Sequence, residues 1–473
     1  MRRTKMLASL DPDEQAARGQ YFTPHQAARI IASLPRVPEG ASVRVLDPGA
    51  GSGILTAAIA DRLHHERPDL RIRVTVVEDD AVLHGALRET LEDVSQRTGA
   101  TVRLVGRDFL RWALSTSEKF DLVIQNPPYA KLRSSSEEQT LLRASGIVVP
   151  NMYAAFLALG LRMLSDGGQQ VAITPRSWMN GTYYSQFRHE LVNAAGVDKI
   201  YTFESRSKVF KDTGVLQESI VVSMTKCHTP EYVTVFISRD HSSKSSHRTV
   251  AYDDVVTPDF IHVPATEEDA AAVTWMATHA TQSLADLGLS VSTGRVVDFR
   301  SRDMLYKDYV PGAVPMLNAS HLRGGVARHP IGSKKPEWFR ADEERASKLL
   351  VPGGTYVLIK RFSAKEERRR VVAATWTSER PVAFDNKLNY IHESGHGMNP
   401  REARGLWIFL NSSQLDHYFR VFSGHTQVNA TDLRHMRFPS HLQLQMLGGS
   451  AAGNQESIDA TVDAVLSTVE VLA

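Results

Sequence analysis

Apolar positions in the first half of the chain fall into short β-branched runs alternating with longer stretches of helical spacing. Residues 43–46, 74–77, 102–105, 122–124 and 171–174 are the runs, and 55–63, 81–94 and 152–164 are the stretches. Alternation of this kind predicts a doubly wound, mostly parallel sheet. The run ESIVVSM (218–224) reads as a further strand, able to form an antiparallel edge with residues 202–203 and 233–236. The pattern breaks around residues 237–290, where the serine-rich SRDHSSKSSHR reads as loop or linker. Glycine-bearing segments and short strand patterns follow. One helix is expected over 400–422, on the spacing of Leu406, Phe409, Leu410 and Phe419. A last one is expected over 457–471, with Ile458, Val462, Val465, Leu466 and Val469 on one face. The second half is therefore expected to be a separate, irregular α+β domain.

A length of 473 residues agrees with two domains, and no apolar run approaches the ~18 residues that a membrane span needs. The basic start of the chain lacks an apolar core of signal-peptide length, so a cytoplasmic protein is expected. The single cysteine, Cys227, excludes an internal disulfide framework and a cysteine-based zinc site, and no metal site is expected. Cys227 itself reads as a small buried hydrophobe at a strand end. Net charge is only +2, so a polyanion partner depends on where the charge lies. The stretch from Lys360 and Arg361 through Lys365, Arg368, Arg369 and Arg370 concentrates positive charge, as a nucleic-acid contact or as a solvated face.

Chemistry concentrates at Asn126, Pro127, Pro128 and Tyr129, where DLVIQ runs into a stiff polar turn. An asparagine amide oxygen and the adjacent proline carbonyl form a pair of acceptors for a planar –NH2 group. The tyrosine ring can stack on a planar base. That combination suits methylation of an exocyclic or amide nitrogen. Upstream, VRVLDPGAGSG joins a strand to a helix through Gly49, Gly51 and Gly53, which allow close backbone approach to a ligand. Asp47 at that strand end repels phosphate and suits a ligand carrying an ammonium group. Glu78, ending the second strand, stands where such folds bind ribose hydroxyls. Asp108 and Phe109, after the third, are placed to accept from an adenine amino group and to pack on its ring. In GQYFTP, Thr23 reads as a helix N-cap and Pro24 as the first helical residue.

GQYFTP, LDPGAGSG, VVEDD, GRDF and IQNPPY occur in one order over residues 18–225. That order resembles the gamma class of adenine-N6 DNA methyltransferases of bacterial restriction–modification systems, of the Taq and Pst type. The resemblance implies a class I S-adenosylmethionine-dependent fold, Rossmann-like, with a seven-stranded mostly parallel sheet and a C-terminal α+β target-recognition domain. It implies a catalytic domain over 1–240, a linker over 241–285 and a DNA target-recognition domain over 286–473. S-adenosylmethionine is the implied cofactor, with Tyr21, Thr23, Pro24, Asp47, Gly49, Gly51, Gly53, Glu78, Asp108 and Phe109 as its contacts. Asn126, Pro127, Pro128 and Tyr129 match the catalytic tetrapeptide, and Phe210 matches a ring that sandwiches an extruded adenine. Double-stranded DNA is the implied substrate. Lys131, Arg133, Arg295, Lys360, Arg361, Lys365, Arg368 and Arg369 are candidate contacts to it, with Asn386, Lys387, Asn389 and Tyr390 as weaker ones. FSGHTQVNATDLRHMRFPS is similar to segments of target-recognition domains and type I specificity subunits. A separately encoded restriction endonuclease is a possible partner, near the bacterial nucleoid. Enzymes that methylate a glutamine amide or RNA also carry such a tetrapeptide and stay open as alternatives. GQYFTP and the large second domain favour DNA.

Overall fold

The structure, a computed structural model, describes residues 23–180, 182–203, 219–257, 260–363, 367–422 and 427–468. The chain divides into two compact units, 1–265 and 266–473.

The first unit is built on one mixed sheet of nine strands, in the order β3-β2-β1-β4-β5-β7-β6-β8-β9. These are β1 (Ser42–Pro48), β2 (Arg71–Val77), β3 (Thr101–Val105), β4 (Phe120–Gln125), β5 (Leu164–Pro175), β6 (Ala195–Phe203), β7 (Ser219–Lys226), β8 (Tyr232–Ser238) and β9 (Ser246–Ala251). Strands β1 to β5 pair in parallel, and β7 runs antiparallel to both β5 and β6. The first seven give the expected sheet. Two more extend it, β8 parallel to β6 and β9 antiparallel to β8. Part of the stretch read as linker is thus sheet: Ser246–Ala251 pairs along its whole length with β8. A polar, serine-rich strand escapes detection because an edge strand needs only one row of ladder hydrogen bonds.

Alternation along the central strands explains the layers. Val43 and Val45 point to one face and Leu46 to the other; Leu122 and Ile124 oppose Val123, and Val171 and Ile173 oppose Ala172. One face is covered by α1 (His25–Ser33), α2 (Ile54–Glu66) and α3 (His84–Thr98), through Ile31, Ile59 and Leu91. The other is covered by α4 (Phe109–Ser115), α6 (Met152–Met163) and α7 (Ser185–Ala194), through Trp112, Phe156 and Phe187. Between α4 and α6 lies the short α5 (Glu137–Ala144). Cys227 is exposed, not buried: it follows β7 in a turn with φ of 55°.

The second unit holds two smaller sheets. The larger is centred on the antiparallel strands Gly354–Lys360, Ala373–Ser378 and Leu388–His392. A helix over Glu267–His279 lies where a linker was expected, and its capping box between Thr266 and Asp269 fixes its start. The single helix expected over 400–422 is two, Pro400–Leu410 and Ser413–Phe422. The break is chemical. Asn411 donates from Nδ2 to the Ala373 carbonyl, and the Ser412 hydroxyl accepts the Leu415 amide proton. The last helix is Gln455–Thr468. Among the described residues, no helix is long and apolar enough to cross a membrane.

Candidate functional site

In the sheet order the chain reverses direction between β1 and β4, one going outward to β2 and the other to β5. Ligands of open α/β sheets bind at such a switch point, beyond the carboxyl ends of the strands. The glycine loop follows β1 and the tetrapeptide follows β4, so both sit at this crevice.

A cavity of about 580 Å3 opens there, lined by Thr23, Gly49, Gly51, Glu78, Asp108, Phe109, Asn126 and Pro128 among others. The loop is fixed from below: the Gly49 and Ala50 amides both donate to the Val77 carbonyl at the end of β2. Gly49 and Gly53 adopt φ of 66° and 76°. A Cβ on Gly49 would stand 3.2 Å from the Phe156 ring across the cavity wall, and one on Gly53 would meet Leu87 at 2.9 Å. Both positions therefore require glycine.

Glu78 is buried, with each carboxylate oxygen held by a backbone amide: Gly51 N–H to Oε2 at 2.8 Å and Asp80 N–H to Oε1 at 3.0 Å. Burial raises its pKa, opposed by these two bonds. Asp108 is the N-cap of α4, accepting from Arg111 N at 2.9 Å, and burial raises its pKa too. Phe109 is buried with its ring centroid 4.7 Å from that of Phe156. Phe156, on α6, is a wall residue that no motif marked; only its place on the apolar face of a helix hinted at it.

Asp47 departs from expectation. It does not line the cavity; it is fully buried, and its Oδ2 accepts from the Thr56 hydroxyl at 2.6 Å and the Thr56 amide at 3.1 Å. Burial pushes its pKa up to about 7. A carboxyl so placed ties the start of α2 to the end of β1. Thr23 also departs. Pro24 occupies the N-cap position of α1, and no side chain caps that helix. The Thr23 hydroxyl, buried, instead accepts from Asn126 Nδ2 at 3.0 Å. Pro127 is buried, and Tyr129 is partly buried with its ring edge-on to Tyr153 at 6.1 Å. Tyr21, Phe210 and Lys365 lie outside the described residues.

Lys131 and Arg133 are exposed in the loop after the tetrapeptide, while Ser136 is spent as the N-cap of α5. In the second unit most expected DNA contacts have internal work. Arg295 donates to the Lys348 and Leu350 carbonyls, Lys360 pairs with Glu367, and Arg361 donates to Asn386 O. Arg369 donates to Asn411 O, and Arg370 is buried. Lys387 pairs with Asp298, and Asn389 and Tyr390 are buried in the sheet. Arg368 is exposed.

The cavity falls within the roughly 300–1,000 Å3 of small-ligand sites. Its acid at the end of β2, its glycine loop and its aromatic wall fit a nucleoside. Fold and site together are those of a class I S-adenosylmethionine-dependent methyltransferase. The sequence narrows the class. Residues 85–210 match the Eco57I restriction-modification methylase family. Over 466 residues the chain is 38% identical to the type II methyltransferase M.BsuBI of Bacillus subtilis, covering 93% of this chain and 91% of that protein. It is 36% identical over 459 residues to M.PstI of Providencia stuartii, covering 93% and 90%. In fold alone it resembles the type IIL restriction-modification enzyme MmeI solved in complex with DNA, at a TM-score of 0.56 and 10% identity, over 99% of this chain and 75% of that one. The chain belongs to the type II DNA methyltransferases of restriction–modification systems. Its substrate is DNA, methylated at a specific site, and its methyl donor is S-adenosylmethionine.

Proposed function

We propose that the methylated atom is N6 of an adenine extruded from double-stranded DNA. The observation that supports this reading is the placement of Asn126 and Pro128 on the same cavity as Glu78 and Phe109. N6 cannot be reached inside a duplex, so the base leaves the stack. The Asn126 side-chain oxygen and the Pro127 carbonyl accept the two amino protons, drawing the nitrogen lone pair out of conjugation with the ring. Tyr129 stacks on the base and offsets part of the unstacking cost, with Phe210 as its counterpart. Glu78 holds the ribose hydroxyls, Asp108 and Phe109 the adenine, and the segment from Tyr21 through Pro24 with Gly49, Gly51 and Gly53 the methionine part. The bound cofactor supplies an electrophilic methyl group. The protein contributes position and electrostatics, with no side-chain nucleophile.

The second unit, with the linker and target-recognition boundaries expected from sequence redrawn near residue 265, selects the site on DNA. Cleavage belongs to a separately encoded endonuclease, and the enzyme works in the bacterial cytoplasm on the nucleoid. Incubation with labelled S-adenosylmethionine and plasmid DNA, followed by base-resolved mapping, tests the reading: N6-methyladenine at one sequence supports it, and a methylated cytosine overturns it. Asn126→Ala is expected to abolish transfer while keeping cofactor affinity, and retained turnover in that variant sinks the role given to the tetrapeptide.

A further inference from the structure

From Tyr309 through Pro336 the chain carries no aspartate or glutamate, while Arg323, Arg328, Lys334 and Lys335 are all exposed. The arginines belong to a hairpin, in which Leu322–Arg323 pairs with Val326–Ala327 and the Arg328 amide donates to the His321 carbonyl. The lysines lie on the loop that follows. Both segments are fastened to one acid. Glu337 is buried; its Oε1 accepts from His321 Nε2 at 3.0 Å and from the Ile331 amide at 3.0 Å, and its Oε2 accepts from the Gly332 amide at 2.9 Å. His329 closes the loop, donating from Nε2 to the Glu337 carbonyl at 2.6 Å. Among the described residues, the side chains of Arg328, Lys334 and Lys335 make no hydrogen bond or ion pair, and Arg323 makes only a 3.2 Å bond to the Ser320 carbonyl. Lys360, Arg361 and Arg369 differ, each being engaged inside the unit.

Cations gathered without an acid repel one another, and a merely solvated face gains nothing from being held still. Holding a loop costs about 1–2 kcal/mol of backbone entropy per residue. Here a carboxylate is taken out of water and given to the amides of that loop, which offsets the cost and leaves the lysines presented from a fixed backbone. Such pre-ordering favours a ligand with closely spaced negative charge. We propose that the hairpin and loop over 321–337 form a phosphate-binding face for duplex DNA. Lys334 and Lys335 meet the sugar–phosphate backbone, and Arg323 and Arg328 add to the positive surface from the hairpin. Glu337 is a positioning residue: it touches no DNA and holds the loop that does. Contacts to phosphate fix the register of the duplex and carry no sequence information, so base reading falls to other groups. The proposal rests on the role given above to the second unit.

The full-length protein carrying both Lys334→Ala and Lys335→Ala is compared with wild type across a salt series, on a duplex with the methylated site and on one without it. The slope of log K against log salt is expected to fall by about two, equally on both duplexes, with the melting temperature unchanged. An unchanged slope overturns the proposal, and a fall confined to the duplex with the site makes the lysines base readers and overturns the phosphate role. Glu337→Gln supplies a test of opposite sign. Removing a negative charge would by itself tighten DNA binding, whereas release of the loop weakens it, by about threefold or more in Kd. Binding as tight as wild type, or tighter, overturns the positioning role. If Glu337→Gln does not fold, the lysine pair decides the proposal alone. Arg368→Ala and the paired change Lys131→Ala with Arg133→Ala separate the two levels. A slope lowered by Arg368→Ala and not by the lysine pair removes only this inference. A slope lowered only by the change at 131 and 133 removes the role of the second unit beneath it.

Discussion

Glu78 and Gly51 are joined by a 2.8 Å hydrogen bond, from the amide of the glycine loop to Oε2 of the acid at the end of β2. The same carboxylate accepts from Asp80 N–H through its other oxygen. Both oxygens therefore hold backbone while facing the cavity. A glutamine there is not a conservative change: its –NH2 end would meet one of two amide N–H groups, donor against donor. We expect Glu78→Gln to weaken S-adenosylmethionine binding nearly as much as Glu78→Ala, by about tenfold or more in Kd, the scale of a lost bond to a charged acceptor. Calorimetric titration checks this, and a Gln variant with wild-type affinity would remove the rigid-acceptor account.

Beneath the tetrapeptide lies a buried amide pair. Gln125 Nε2 donates to Gln170 Oε1 at 3.1 Å, and Gln170 donates onward to the Leu157 carbonyl of α6. Gly160 on α6 makes room for it: a Cβ there would fall 2.1 Å from Gln170 Oε1 and 3.1 Å from Gln125 Nε2. Alanine would gain up to about 1 kcal/mol in helix propensity. Overpacking of this kind costs about 1–3 kcal/mol, and the amide has no solvent to retreat into, so the clash wins. Gly160→Ala is expected to lower the urea midpoint. An unchanged or higher midpoint would mean that the pair repacks freely.

Asp47 gives a pH dependence with a definite sign. Burial raises its pKa from 3.8 to about 7, so the folded state keeps a proton that the unfolded chain releases near pH 4. Its contribution is fully present below the unfolded pKa and is lost as pH rises through the folded one. Asp47→Asn keeps an oxygen for the two Thr56 donors and removes the titration. The melting temperature of the variant, relative to wild type, is expected to rise steadily from about pH 4 to about pH 7 and then level off. A constant offset across that range would show that Asp47 does not titrate as its burial requires.

What could be read in advance follows from what each signal reports. The alternating runs around residues 43–46 and 122–124 placed the central strands because strands buried on both faces are apolar throughout. The order of the loop motifs placed the crevice. Asp47 and Thr23 escaped because a motif gives a residue's neighbourhood and not the direction of its side chain: one turned inward to Thr56, the other across to Asn126. Ser246–Ala251 and the break at Asn411 escaped because edge pairing and side-chain capping leave no periodic trace. The basic stretch at 360–370 shows the same limit, since charge in sequence does not say what the charge is paired with: Lys360 pairs with Glu367 and Arg369 with the Asn411 carbonyl, whereas Arg368 is exposed.

That stretch supports a final test. Arg369 donates to the carbonyl of Asn411, the residue that ends one helix, whereas Arg368 is exposed. A cation that neutralises a phosphate changes the slope of log K against log salt by about one when removed. A cation that holds a helix end changes stability instead. We expect Arg369→Ala to lower the melting temperature and leave the salt slope of DNA binding as in wild type. Arg368→Ala is expected to leave the melting temperature and reduce the slope by about one if the exposed face of this stretch meets DNA. Binding measured by fluorescence anisotropy across a salt series, beside thermal melts of the same proteins, separates the two. A reduced slope in Arg369→Ala with unchanged melting would return that arginine to the DNA interface, and an unchanged slope in Arg368→Ala would move the interface off residues 360–370 altogether.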